Sequence, residues 1–192
     1  MKLSVIIPVY NEKNYILAVL KKVNKQKDKF DIEIIVTDDG SIDGTVDIIK
    51  DNKHLYDKAI FSEKNEGKGS AIKECLNHVT GDYVLIQDAD LEYNPDEYKN
   101  LIAPILDYDA EIVFGSRFKG GQPERVLYFK NRVANFFLSL MVSILTNINF
   151  SDVETGYKLI KTSKLKLLDL KEKSFGIEIE IVMKLAKTSS SF

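Results

Sequence analysis

Residues 3–9, Leu3-Ser4-Val5-Ile6-Ile7-Pro8-Val9, are apolar at nearly every position rather than at alternate ones, and the polar Tyr10-Asn11-Glu12 follows at once. A strand that is apolar throughout is covered on both faces, as in a parallel sheet between two layers of helix. Working outward, further apolar runs of strand length occupy residues 32–36, 59–61, 83–86 and 110–114. Between them, Ile16, Val19, Leu20 and Val23 repeat at i, i+3, i+4 and i+7, and so do Ile72, Cys75, Leu76 and Val79 before Gly81. That spacing predicts two amphipathic helices, the second stopped by its glycine; Pro95 suits the first turn of a third. A last helical run covers residues 177–186. Alternation of strand and helix through the first 115 residues predicts an α/β fold with a mostly parallel central sheet and helices on both faces. Ligands of such a sheet bind beyond the carboxyl ends of the strands.

The chain has 192 residues, 44% hydrophobic and 29% charged, which excludes disordered, collagen-like and coiled-coil classes and fits a single domain. Residues 1–118 read as the α/β half of the fold, and residues 119–192 as a further region of the same domain. With 27 Lys and Arg against 29 Asp and Glu, the net charge of -2 gives no general attraction to nucleic acid, so no nucleic-acid partner is expected. A single cysteine, Cys75, forms neither an internal disulfide nor a cysteine metal cluster, and points to a reducing, cytoplasmic setting. The apolar run at the amino terminus is too short for a secretory signal. The terminal Lys-Thr-Ser-Ser-Ser-Phe carries no structural stop signal, as in a chain cut from a longer protein.

Two acidic segments fall at predicted strand ends. Asp38 and Asp39 offer acceptors suited to a base N–H edge and a ribose hydroxyl, although Asp, Gly and Ser also make ordinary turns. Asp88-Ala89-Asp90-Leu91-Glu92 sets three carboxylates at alternate positions, and hard oxygen ligands suit Mg²⁺ or Mn²⁺; alone, such a segment also reads as a solvated loop. The three arginines, Arg117, Arg125 and Arg132, cluster in a chain that otherwise uses lysine. The guanidinium fork binds phosphate bidentately, so the cluster reads as phosphate recognition or as a structural ion pair. Asn65-Glu66-Gly67-Lys68-Gly69 reads first as a helix entry and second as a loop that approaches a pyrophosphate. Asp152 and Glu154 are candidate general bases if the acceptor is a hydroxyl. His54, His78 and Cys75 have only structural readings.

From Val133 to Ser151 the chain has no charged residue. Tyr128, Arg132, Asn135, Ser139, Ser143 and Asn147 line one side of the helix predicted over residues 128–147, leaving Phe136, Phe137, Leu140, Met141, Ile144 and Leu145 on the others. This is an amphipathic helix rather than a membrane span. It suits a membrane interface, or equally a core or homodimer contact.

Taken in order, SVIIPVYNE, VTDDGSIDGT, NEGKGSA, DYVLIQDADLEYNP, VFGSR and DVETGYK resemble the family 2 glycosyltransferases of GT-A fold, over residues 4–186. The nearest branch is that of dolichol-phosphate mannosyltransferase and the bacterial polyprenyl-phosphate glycosyltransferases. The resemblance implies that Pro8, Tyr10 and Glu12 contact the nucleotide and that Asp38 and Asp39 bind base and ribose. It matches Asp88, Ala89 and Asp90 to the DxD segment, gives Asp90 and Glu92 to the metal, and sets Arg117 and Arg132 at phosphates. Lys68 belongs to the same donor site. Glu92 departs from the Gln that many relatives carry, and relatives often continue beyond this chain's end. The implied reaction is metal-dependent, inverting transfer of a sugar from a nucleotide diphosphate (GDP-mannose or a UDP-hexose) to a polyprenyl or dolichyl phosphate at the cytosolic membrane face. Three other readings stay open: transfer to a hydroxyl acceptor, a nucleotidyltransferase, and a non-catalytic membrane-associated binding subunit.

Overall fold

In a computed structural model the described residues are 1–116 and 129–188. Six strands form one sheet in the order β3-β2-β1-β4-β6-β5: β1 (Leu3–Val9), β2 (Ile32–Asp38), β3 (Lys58–Phe61), β4 (Tyr83–Ile86), β5 (Ile112–Phe114) and β6 (Lys158–Lys161). The first four are mutually parallel; β6 runs antiparallel between β4 and β5. Mostly parallel is therefore right. The unforeseen element is β6, whose sequence Lys-Leu-Ile-Lys is too short and too charged at its ends to stand out as a strand.

All seven residues of β1 are buried, and they alternate between two cores. Val5, Ile7 and Val9 pack with α1 (Ile16–Lys25) and α4 (Tyr98–Tyr108), while Ile6 packs with α3 (Lys68–Leu76) and α7 (Ile177–Thr188). Both faces are covered, which is why the run is continuous; each such side chain contributes about 1.5–3 kcal/mol by burial. Ile16, Val19, Leu20 and Val23 all point into the core, as their spacing predicts. Helix α2 (Thr45–Asp51) and the short α6 (Thr162–Lys166) complete the layers. Strand β2 runs two residues longer than its apolar stretch, taking in Thr37 and Asp38, because both side chains are fully buried with hydrogen-bond partners to hand. The predicted helix at Pro95 begins as a 3₁₀ turn over residues 95–97 and continues as α4.

Helix α5 (Phe129–Thr146) is amphipathic as expected, with its faces reversed relative to a soluble core helix. Asn135 and Ser139 are buried, whereas Phe136, Phe137, Leu140, Met141, Ile144 and Leu145 are exposed, Ile144 at 73%. Asn135 Nδ2 donates to Asp152 Oδ1 at 2.9 Å, and Ser139 Oγ accepts from the Val153 amide at 3.0 Å. The polar stripe is the packed side because it satisfies a buried carboxylate and a buried backbone amide. This corrects the core-helix alternative for the exposed face. Among the described residues, no helix is long and apolar enough to cross a membrane.

Candidate active site

Beyond the carboxyl ends of β1, β2 and β4 lies a cavity of about 730 Å³, within the size range of small-molecule sites. Pro8, Tyr10, Glu12, Asp39, Lys68, Asp88, Ala89, Asp90, Glu92 and Glu154 line it, as do Tyr93 and Glu178. Residues that sequence reasoning drew from five separate segments thus share one cavity.

The loops are tied to one another by their own side chains. The Asn11 amide donates to Ser41 Oγ at 2.8 Å and Asn11 Oδ1 accepts from the Ile42 amide at 2.9 Å, joining the loops after β1 and β2. Asp39 accepts from the amides of Glu66 and Gly67 at 3.0 and 2.7 Å, which fixes the glycine-rich loop at the head of α3. Gly67 is required there by its φ of 102°, and a side chain on it would overlap the carbonyl of Lys173. In the third loop Leu91 adopts φ 63°, and Asp90 Oδ1 accepts the Glu92 amide at 3.0 Å, so the chain turns with both carboxylates at the cavity. Gly156 approaches so closely that a side chain would overlap the Asp88 carboxylate, and its amide donates to Tyr93 Oη at 2.6 Å.

Sequence reasoning missed the support beneath this loop. Gln87 is fully buried; its Oε1 accepts from the hydroxyls of Tyr98 and Tyr157 at 2.9 and 3.1 Å, and its Nε2 donates to the Asp88 carbonyl at 2.9 Å. An amide side chain directly following an apolar strand is the signal that could have found it. It also gave no role to Glu178 and Lys158, buried charges on α7 and β6, although Lys158 closes the DVETGYK segment.

Other expected residues stand apart from the cavity wall. Asp38 is fully buried and not among the lining residues; its Oδ2 accepts the Ser41 amide at 2.9 Å. Asp152 is buried beneath α5 and engaged by Asn135, so of the two candidate bases only Glu154 lines the cavity. Arg132 is exposed on α5. Arg117 and Arg125 fall outside the described residues.

Seven carboxylates and one ammonium, that of Lys68, are among the described lining residues. Burial lifts the Asp90 carboxyl above its ordinary pKa, and Asp88 adds to the effect; burial does the same to Glu12, helped by Asp90, Asp43 and Asp88. Burial alone would weaken the Lys68 ammonium, yet Asp88 at 2.6 Å and Glu178 at 2.7 Å outweigh it and hold the lysine charged. The described part of this wall is acidic enough to attract cations. Among the described residues no three His, Cys, Asp or Glu side chains converge to hold a metal unaided. Asp90 and Glu92 fit the pattern in which Mg²⁺ or Mn²⁺ takes one or two carboxylates and completes its shell with substrate phosphates.

Comparison with known proteins gives the family and the fold. The profile of Glycosyl transferase family 2 matches residues 4–168. The chain is 31% identical to an uncharacterised protein of Methanocaldococcus jannaschii, over 95% of this chain and 81% of that one. It is 28% identical to dolichol-phosphate mannosyltransferase of Pyrococcus furiosus, over 96% of this chain and 53% of that enzyme. Among solved structures, glucosyl-3-phosphoglycerate synthase of Mycobacterium tuberculosis superposes with a TM-score of 0.77 at 22% identity, over 97% of this chain and 66% of that one. The chain thus spans about half of the mannosyltransferase and two thirds of the synthase. The likeness to the synthase establishes the GT-A fold.

Proposed function

Because this chain belongs to glycosyltransferase family 2, we propose that it moves a sugar from a nucleotide diphosphate to a polyprenyl phosphate at the cytosolic face of a membrane. The observation that carries the donor half is the acidic cavity at the strand ends, with Asp90 and Glu92 side by side on its wall. Solved complexes of the mycobacterial synthase contain Mn²⁺ with UDP, which supports a divalent ion here. When bound, such an ion supplies Lewis-acid stabilisation of the leaving diphosphate.

The chain's own residues do the rest. Pro8, Tyr10, Glu12 and Asp39 border the nucleotide, with Asp38 buttressing from beneath; Asp88 and Ala89 bring the loop to the sugar, and Lys68 presents positive charge to the diphosphate. Arg117 and Arg132 are assigned to phosphate oxygens. An acceptor phosphate is already an anion at neutral pH, so it attacks the anomeric carbon without a general base, from the side opposite the departing diphosphate, and inverts that centre. Catalysis is then positioning and charge stabilisation. The acceptor half rests on the exposed apolar face of α5, with Lys130 and Arg132 at its start. A helix of this kind lies in the head-group region with its apolar side in the acyl chains, where a polyprenyl phosphate resides.

Glu154 favours a second reading, transfer to a hydroxyl, because it alone of the two candidate bases reaches the cavity. The deciding experiment has two stages. Thermal unfolding with UDP, GDP and CDP, each with and without Mn²⁺, is expected to show a Mn²⁺-dependent rise of roughly 5–10 °C with one nucleotide near 100 times its dissociation constant. No shift from a cooperatively folded sample favours the non-catalytic binding subunit. Sugar transfer to polyprenyl phosphate is then compared between the wild type and Glu154→Gln. Retained activity supports the phosphate acceptor, and transfer only to hydroxyl acceptors overturns it.

A further inference from the structure

At the back of the cavity two lysines and two carboxylates form a continuous chain of contacts that joins the last helix to the acidic loop. Glu178, in the first turn of α7, is 5% exposed. Its carboxylate stands between two ammonium groups: Lys68 Nζ at 2.7 Å, and Lys158 Nζ, which is fully buried and also donates to the Thr155 carbonyl. Lys68 Nζ lies 2.6 Å from Asp88 Oδ1 on its other side. Lys68, Asp88 and Glu178 all reach the cavity.

Packing does not require this arrangement. Apolar side chains of similar volume in place of a buried ion cluster are often neutral or stabilising. What the chain of charges does fix is the position of one flexible side chain. A lysine has a four-carbon stem with many rotamers, and an ammonium held by Asp88 alone would follow that carboxylate wherever the loop carried it. With Glu178 as second anchor the ammonium is held between two carboxylates carried by different elements, the loop after β4 and α7. Glu178 is in turn shared with Lys158, so it does not neutralise Lys68 completely. The head of α3 is held to the same region of chain by its backbone: the Ser70 amide donates to the Lys173 carbonyl at 3.1 Å, four residues before α7 begins.

We propose that Glu178 is a positioning residue of the donor site: it holds the Lys68 ammonium at the cavity wall, where the diphosphate of the donor meets it, and thereby makes nucleotide affinity depend on α7. This rests on the nucleotide-donor reading above.

The test is calorimetric binding of UDP, GDP and CDP, in Mn²⁺ and in chelator, to the wild type, Glu178→Gln, Lys68→Met and the double variant. One charge-assisted contact is at stake, so each single substitution is expected to weaken binding by about tenfold or more. The double variant is expected to bind no more weakly than Lys68→Met, because Glu178 acts only through that lysine. Glu178→Gln leaves Lys158 short of its partner, so Glu178→Gln with Lys158→Met is the companion that removes the orphaned charge, and it is expected to show the same loss. A purely structural Glu178 would lower the unfolding midpoint and leave the affinity of the folded protein unchanged, which overturns the inference. Additive losses in the double variant also overturn it. A wild type that binds none of the three nucleotides removes the donor-site reading and this inference together; a wild type that binds beside variants that bind equally well removes the inference alone.

Discussion

At the amino ends of β1, β2 and β4, Glu33 accepts hydrogen bonds from Lys2 Nζ at 2.8 Å, from the Thr80 amide and hydroxyl at 2.6 Å each, and from Ser4 Oγ. Burial works against its ionisation, yet these donors bring its carboxyl down to about 2. At the carboxyl ends of the same strands, Glu12 and Asp90 are pushed the other way by burial and by neighbouring carboxylates, Asp90, Asp43 and Asp88 acting on Glu12 and Asp88 on Asp90. One end of the sheet satisfies its carboxylate internally; the other accumulates negative charge that a bound cation and its phosphates are suited to neutralise. Two carboxylates at strand ends therefore carry different information according to whether their partners lie within the chain.

The largest effect expected from breaking this contrast is at the open end. Asp90→Asn should lower sugar transfer in saturating Mn²⁺ by about 10³-fold, in the range of losing one electrostatic stabiliser of a transition state, with little change in the unfolding midpoint. Near-normal turnover would mean that the crowded acids hold no metal. At the closed end Glu33→Gln should cost about 1–3 kcal/mol of stability at pH 7, the range for hydrogen bonds to a charged group, while turnover is retained. Because the folded pKa lies below the ordinary value of 4.5, the contribution of Glu33 is complete above that value and fades as pH falls toward about 2. Urea denaturation from pH 7 to pH 2 should show that acid limb flattened in the variant, and identical curves would break the contrast. The smallest effect on stability belongs to a third kind of surface. Ile144→Glu should shift stability by no more than about 0.5 kcal/mol, as exposed substitutions do, while reducing flotation of the protein with phosphatidylglycerol vesicles. A loss of several kcal/mol would show that this face is covered in solution, as in the homodimer alternative.

The central sheet was legible because β1, β2 and β4 are apolar at nearly every buried position, and the acidic strand ends were legible because Asp38, Asp39, Asp88 and Asp90 follow those runs closely. Three features were not. Helix α5 showed its two faces in the spacing of Asn135, Ser139 and Ser143, but periodicity reports that faces exist and leaves open which one is buried; the partner that decides it, Asp152, is made available only by the fold. Strand β6 lacked an apolar run long enough to register. Glu178 and Lys158 sit twenty residues apart in sequence and meet only because β6 enters the sheet beside β4, so no local pattern announces the pair.

The antiparallel return of β6 has one more consequence. The chain leaves the sheet after β5 and re-enters at its immediate neighbour, with the Gly115 amide bonded to the Tyr157 carbonyl at 2.9 Å across the opening. Helix α5 lies within the excursion that this closed neck delimits. Lengthening or replacing such an excursion alters loop-closure entropy by only about 0.6 kcal/mol per doubling, and leaves strand order and the wall formed by Asp39 and Asp90 untouched. A scaffold of this kind can exchange much of the excursion while keeping strand order and the carboxylates that β2 and β4 carry, whereas Glu154, which lies within the excursion, changes with it.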